Sequence, residues 1–349
     1  MKRGVLWAAA AAVCFLLSGC AMGEATGDNT VAGNQALSEG SYEEALSLFQ
    51  EAQAQGETAV LALRGEGLAC MGLGRYEEAE QAFQEALDAA DDKMPENTKD
   101  IRLYLATAQY RQDKYEDAIS TCDDILEEET SDADARFIRG ASSLFLGNES
   151  DAKRDFDAAA SAAPEDYDLF LNIYECYAQI SQSAVGDEYL EQALTIQGED
   201  AEHYYNRGRI YYYLENYTEA ENQLLVPVDE KYEPAMYLMG QVYLAQGDYA
   251  RGAGIYQQIQ SEFGESAACY NGLAQCSLAE GDYDMALSYI AQGLALDGNE
   301  GKQELYFNEI VAYERKQDFD TAKTKAEEYV SRYPSDEAGQ KEWEFLSTR

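Results

Sequence analysis

Small and apolar residues recur along this chain at helical spacing, and they do so in paired segments. The pattern is clearest from Ala201 to Leu224. Gly208 and Tyr211 lie about one turn apart on one helix, Asn216 breaks it, and Tyr217, Ala220 and Leu224 mark one face of a second. That is a helical hairpin, followed by Pro227 and a charged link. The signature returns about every 34 residues. It is present as Gly33, Tyr42, Ala45, Phe49 and Ala52; as Gly67, Cys70, Tyr76, Ala79, Phe83 and Ala86; and as Ala106, Tyr115, Ala118 and Cys122. It continues with Gly140, Ala152, Phe156, Ala159 and Pro164, then with Gly240, Tyr243, Tyr249, Gly252 and Tyr256. Ala274, Tyr283, Ala286 and Ile290, and finally Ile310, Tyr313, Phe319, Ala322 and Tyr329, complete the series.

One unit departs from the rule. Tyr174 stands where the small residue belongs, Ser183 where the tyrosine does and Gly186 where the alanine does, so this hairpin is expected to splay and the stack to bend. Asp91 to Thr98, with Pro95, is expected to bulge as a loop. Ser335 is expected to cap a last helix running to Leu346, in which Lys341, Glu342 and Glu344 alternate with Trp343, Phe345 and Leu346.

In period and pattern the chain resembles the tetratricopeptide repeat family almost throughout. The resemblance implies an all-α, right-handed superhelical solenoid of about nine helical hairpins plus a C-terminal capping helix, over residues 30–349. A repeat array grows by stacking, so 349 residues need not mean several domains.

The first twenty residues are a separate object. Lys2 and Arg3 precede a short apolar run from Val5 to Leu16, and Leu17-Ser18-Gly19-Cys20 ends it. The run is shorter than the roughly 20 residues a spanning helix needs. It resembles the lipobox of bacterial lipoprotein signal peptides, in which the cysteine receives a diacylglyceryl group and becomes the new N-terminus. The resemblance implies lipidation at Cys20, anchoring in a bacterial membrane and an extracytoplasmic location. Ala21 to Asn29, small and polar, is read as a flexible tether.

In the tetratricopeptide family the first helices of successive hairpins line a groove that holds a peptide or a partner's helix. Repeat register places Asn172, Glu175, Tyr205, Asn206, Arg209, Tyr212, Tyr213, Tyr237 and Gln241 on that surface in the middle of the chain. Arg64, Tyr104, Thr107 and Tyr110 take the same positions earlier, and Asn271 and Gln275 later. Tyrosine gives rigid contact area with a polar tip, and Arg209 is a candidate clamp for a carboxylate. Tyr205, Asn206 and Tyr212 also match the family's scaffold pattern. The two-carboxylate clamp of chaperone-receiving repeats needs lysines that do not accompany Asn172 and Asn206. The tyrosines at the start of each second helix (Tyr42, Tyr76, Tyr115, Tyr217, Tyr249, Tyr283), and Tyr177, Tyr211, Tyr243 and Tyr313, are read as core.

Charge narrows the partners. With 66 acidic against 25 basic residues the net charge is −41, which disfavours nucleic acid and bare anionic lipid. Much of the acid falls at outer positions, as in Glu77, Glu78, Glu127 and Glu128, where it serves a solvated surface. Asp132-Ala133-Asp134 lacks the rest of a calcium loop. Beyond Cys14 and Cys20, the thiols Cys70, Cys122, Cys176, Cys269 and Cys276 are odd in number and are read as buried and unpaired. His203 is the only histidine, so neither a histidine metal cluster nor a second base is available.

The reading is therefore a non-catalytic, membrane-anchored scaffold that binds proteins or peptides and needs no cofactor. The alternatives are an envelope assembly factor of outer-membrane or pilus type, and a lipoprotein that binds cell-wall glycan through its tyrosines.

Overall fold

The computed structural model describes residues 27–90, 95–298, 301–334 and 336–348. All regular structure among them is helical, in nineteen helices. The chain divides into two compact units, the first ending at Ala158 and the second beginning at Ala159. The first holds the hairpins α1 (Asp28–Ser38) with α2 (Tyr42–Ala54), α3 (Ala59–Gly72) with α4 (Tyr76–Ala89), α5 (Pro95–Arg111) with α6 (Tyr115–Glu128), and α7 (Ala133–Phe145) with most of α8 (Glu149–Ala162). The second holds α9 (Tyr167–Gln179) with α10 (Ser183–Ala193), α11 (Ala201–Tyr213) with α12 (Tyr217–Asp229), α13 (Glu233–Gln246) with α14 (Tyr249–Phe263), α15 (Ala267–Glu280) with α16 (Tyr283–Ala295), and α17 (Lys302–Arg315) with α18 (Phe319–Arg332). A last helix, α19 (Glu337–Ser347), packs on α18.

Every hairpin is closed by the same backbone device. The residue at the bend has positive φ: Gly40, Gly74, Gly147, Gly247 and Gly281 in five hairpins, Asp113, Ser181, Glu215 and Gln317 in the others. The next amide reaches back to a carbonyl five residues earlier, as Arg75 N to Cys70 O at 2.8 Å and Asn216 N to Tyr211 O at 2.9 Å. This left-handed cap satisfies carbonyls that a helix end otherwise leaves open. Asn216, Asp248, Asp282 and Asp318 then cap the second helices through side-chain oxygens. Asn216 thus starts α12, while the chain reversal itself falls on Glu215.

Large side chains of the second helices fill space that glycines leave open on the first. Phe49 lies against both Gly33 and Gly65, where added β-carbons would fall 2.8 and 2.2 Å from its ring. Tyr256 is held in the same way between Gly240 and Gly272. Each such ring packs within its own hairpin and against the next, which fastens neighbouring repeats to one another.

Several expectations need correction. The degenerate hairpin does not splay, because Gly186 takes over the role of the missing small residue. A β-carbon there would stand 2.9 Å from Tyr174 Cδ2, 3.0 Å from its Cα and 3.1 Å from its carbonyl oxygen, so the helices approach closely, and the Tyr174 ring also meets Tyr213 edge-on. Pro95 to Thr98 form the first turn of α5, since proline tolerates a helix start; residues 91–94 lie outside the described set. Pro227 sits in the last turn of α12. The cap of α19 is Asp336, accepting from Ala338 N and Gly339 N; Ser335, expected in that role, lies outside the described residues. The tyrosines that open the second helices are half-buried, and Tyr42 is 37% exposed, because a first-turn side chain covers the neighbouring hairpin with its ring and leaves its tip in water. Of the other four, Tyr177 and Tyr243 are buried and Tyr211 and Tyr313 are half-buried.

Helix α1 begins at Asp28, two residues inside the stretch read as tether, and the Asn29 and Thr30 amides donate to Glu57 at 3.1 and 2.9 Å. Cys14, Cys20 and the rest of residues 1–26 lie outside the described set.

Candidate functional site

In the second unit, α11 and α13 present a concavity of about 250 Å3 lined by Tyr205, Arg209, Tyr212, Tyr213, Pro234, Tyr237, Leu238 and Gln241. Repeat register selects six of these. It misses Pro234 and Leu238, although Leu238 occupies in its repeat the register position of Asn206, two residues before the helix-contact glycine.

The aromatic lining is fixed by its own contacts. Tyr212 and Tyr213 meet at an interplanar angle of 89° with centroids 6.1 Å apart, and Tyr213 also abuts Tyr174 edge-on at 5.4 Å. Tyr205 abuts Tyr232 at 5.4 Å, and Tyr212 abuts Tyr217 at 5.7 Å. Such tilted and edge-to-face packing suits the ring quadrupole.

The polar groups are mostly committed within the fold. Arg209 Nη1 pairs with Asp168 Oδ1 of α9 at 2.6 Å and donates to Asn206 Oδ1 at 2.9 Å, while its guanidinium lies 5.7 Å from the Tyr205 ring centre. Arg209 is therefore not a bare clamp for an incoming carboxylate. Its Nε and Nη2 make no hydrogen bond among the described residues. Tyr213 donates to Glu175 Oε1 at 3.0 Å. The Tyr237 hydroxyl is shared between Ser266 Oγ at 3.0 Å and Cys269 Sγ at 3.1 Å. Burial pushes the Tyr205, Tyr212, Tyr213 and Tyr237 phenols above their ordinary range; the Glu175 carboxylate adds to this at Tyr213 and Cys269 adds to it at Tyr237. All four remain neutral at physiological pH.

Elsewhere the register picks disperse. Asn172 is half-buried on α9. Asn271 is buried and accepts from Asn308 at 2.7 Å, so it joins two first helices and is not a surface contact; Gln275 beside it is half-buried. In the first unit Tyr104 is likewise interior, stacked on Phe83 at 5.6 Å, and burial raises its phenol to about 12. Arg64 covers that ring and is bound by Asp100 at 2.5 Å. Thr107 turns its hydroxyl onto Leu103 O, and Tyr110 packs against Tyr115 and Phe145.

Cys70, Cys122, Cys176, Cys269 and Cys276 are unpaired and buried. Burial raises Cys70 to about 11 and Cys276 to about 12, so neither is thiolate at neutral pH. His203 accepts or donates at Nδ1 to the Tyr167 hydroxyl at 3.0 Å, a structural contact in the first turn of α11. No group of three or more His, Cys, Asp or Glu among the described residues is placed to hold a metal ion, and no described helix is long and apolar enough to cross a membrane.

A second concavity, of about 390 Å3, is formed by Gly301, Gln303, Glu304, Arg332 and Tyr333 in the last hairpin. Its Arg332 stacks 4.6 Å from the Tyr306 ring centre.

Family models described as tetratricopeptide repeat match residues 30–95, and residues 71–137 and 243–304. Among solved structures, a tetratricopeptide repeat protein from Parabacteroides merdae is similar at 18% identity over 72% of this chain and 98% of its own, with a TM-score of 0.44. The tetratricopeptide protein YrrB, described as having an unusual peptide-binding site, matches at 25% identity over 48% of this chain and 84% of its own, with a TM-score of 0.38. PilW, described as a type IV pilus biogenesis factor, matches at 18% identity over 61% and 98%, with a TM-score of 0.40. No curated protein sequence matches the chain. The hairpins within residues 30–137 and 243–304 are thus similar to tetratricopeptide repeats.

Proposed function

We propose that this protein is a non-catalytic scaffold that binds a protein or peptide partner at the α11–α13 concavity, and that a lipid on Cys20 anchors it to a bacterial membrane outside the cytoplasm. The observation that carries the binding half is the convergence of Tyr205, Arg209, Tyr212, Tyr213, Tyr237 and Gln241 on one recess. Their rings are held in place by neighbouring side chains, so a partner meets a surface that needs little reorganisation. Charge fits the same reading, because a net charge of −41 repels nucleic acid and anionic lipid headgroups. Membrane attachment rests on the Leu17-Ser18-Gly19-Cys20 sequence alone.

Two experiments test the two halves. Capture from native envelopes is compared for the full chain and for Gln241→Ala combined with Tyr212→Ala, with thermal melts to show that the variant folds. The expected result is a protein retained by the parent and lost from the variant; equal capture would move recognition off this recess. For the anchor, Cys20→Ser is expected to abolish incorporation of a labelled fatty acid and release the protein from the membrane fraction. Unchanged membrane association would refute lipidation.

A further inference from the structure

Neighbouring hairpins are fastened where the second helix of one lies on the first helix of the next. Inside the second unit, α12 on α13, α14 on α15 and α16 on α17 are all joined in this way, but α10 meets α11 only sparsely. The cause is local. α10 ends at Ala193 after 11 residues, where α12 and α16 run for 13 and α14 for 15, so a last turn that elsewhere extends the packing surface is missing. Non-helical residues 194–200 take its place, and all but Leu194 and Ile196 are exposed. Beside them lies a guanidinium: Arg207 donates to Leu194 O at 2.6 Å and to Gln223 Oε1 at 3.0 Å. An exposed link and a polar side chain resist separation less than a buried apolar seam, such as Tyr256 held against Gly272 of the next hairpin.

The same two hairpins are also joined through their first helices, by side chains of α9 and α11. The Tyr167 hydroxyl meets His203 Nδ1 at 3.0 Å, Asp168 pairs with Arg209 at 2.6 Å, and Glu175 accepts from Tyr213 at 3.0 Å. These contacts run from the first turn of α11 to its last residue. The Asp168 side chain is 66% exposed, so water competes for its pair, and links of this kind are individually weak. The α9–α10 hairpin is itself close-packed at Gly186, which lets it move as one body.

We infer that the α10–α11 junction is a hinge inside the second unit, latched on its α9 side by Tyr167–His203, Asp168–Arg209 and Glu175–Tyr213. Arg209 and Tyr213 also line the recess between α11 and α13, so opening the hinge strips both of their α9 partners and frees the Arg209 guanidinium for another anion. Coupling runs both ways: a ligand that takes Arg209 or Tyr213 from α9 favours the open hinge. The hinge itself stands whether or not the recess binds a partner.

The test is the distance between two nitroxide labels, measured by pulsed electron paramagnetic resonance on the full chain in detergent. One pair, Glu188→Cys with Asn222→Cys, spans the α10–α11 junction; the other, Gly254→Cys with Ser288→Cys, occupies the same register positions across the α14–α15 junction. All four sites are exposed and lie within their helices, so fraying of a helix end does not reach them, while the native thiols of the described residues are buried. The unsubstituted chain serves as the labelling blank. Asp168→Ala with Glu175→Ala then removes two latches, and a thermal melt shows that the variant folds. The 188–222 distribution is expected to be broader than the 254–288 one, and in the latch variant to gain a population longer by at least about 5 Å, the scale of one helical turn. The 254–288 distance should stay as it is. A 188–222 distribution that remains as narrow as the 254–288 one after the latches are removed, or equal broadening of both pairs, would overturn the inference.

Discussion

Asp155 is 1% exposed and carries two arginines, Arg136 at 2.9 Å and Arg139 at 2.7 Å. Burial alone would raise its carboxyl, but the hydrogen bonds and charges of the two guanidiniums outweigh it and hold the group below the ordinary carboxylate range. A carboxyl depressed in the folded state contributes stability above its unfolded pKa of about 3.9, and loses it as pH falls through the lower folded value. Asp155→Ala leaves two partly buried guanidiniums without their shared partner and is expected to cost about 3–5 kcal/mol in urea melts at neutral pH. The deficit should shrink as pH falls below about 4, and a deficit independent of pH would contradict the role given to the charge. Hairpin bends give a second test at this scale. Gly74 has φ +71° with open space where a β-carbon would go, so Gly74→Ala is expected to cost about 1 kcal/mol through backbone strain alone. Glu215→Gly at an equivalent bend, φ 55°, should be neutral to stabilising by the same thermal measurement.

Among elements, the α9–α10 hairpin shows that the repeat tolerates exchange of large and small between facing helices. Tyr174 and Gly186 reverse the usual assignment, yet the helix backbones still meet. Gly186→Ala drives a β-carbon to 3.0 Å from Tyr174 Cα, which cannot rotate away, and is expected to destabilise by about 1–3 kcal/mol. Gly254→Ala, in the interior of α14 with nothing within 4 Å, should instead stabilise by about 0.5–1 kcal/mol. A pair of melts of opposite sign distinguishes close helix packing from a general intolerance of substitution. The helices themselves are readable in the sequence because apolar residues recur at helical spacing and glycine or a polar residue punctuates each bend. Tyr174 read without Gly186 gives the false expectation of a splayed hairpin, since a contact belongs to both helices. Reading the opening tyrosines of the second helices as core fails for a related reason: periodicity gives the face of a side chain, but not how far out along the helix end it stands.

At the level of the molecule, repeat register brings together residues from different hairpins that no local motif would connect. Tyr205, Arg209, Tyr212, Tyr213, Tyr237 and Gln241 are legible in this way, because equivalent positions in stacked repeats face the same side. Their electrostatic state is not. Asp168 lies 41 residues before Arg209, outside any local pairing rule, and its carboxylate turns a candidate clamp into an arginine already bound. The same principle hides the role of Asn271, whose partner Asn308 lies 37 residues on. The central claim, that the α11–α13 recess is where a partner is met, is tested most directly by placing a photo-crosslinking amino acid at Gln241 in living cells. The control is the same group at Asn222, which is exposed on α12. The account predicts a discrete crosslinked protein from position 241 and none from position 222. A crosslink from 222 with none from 241 would contradict it.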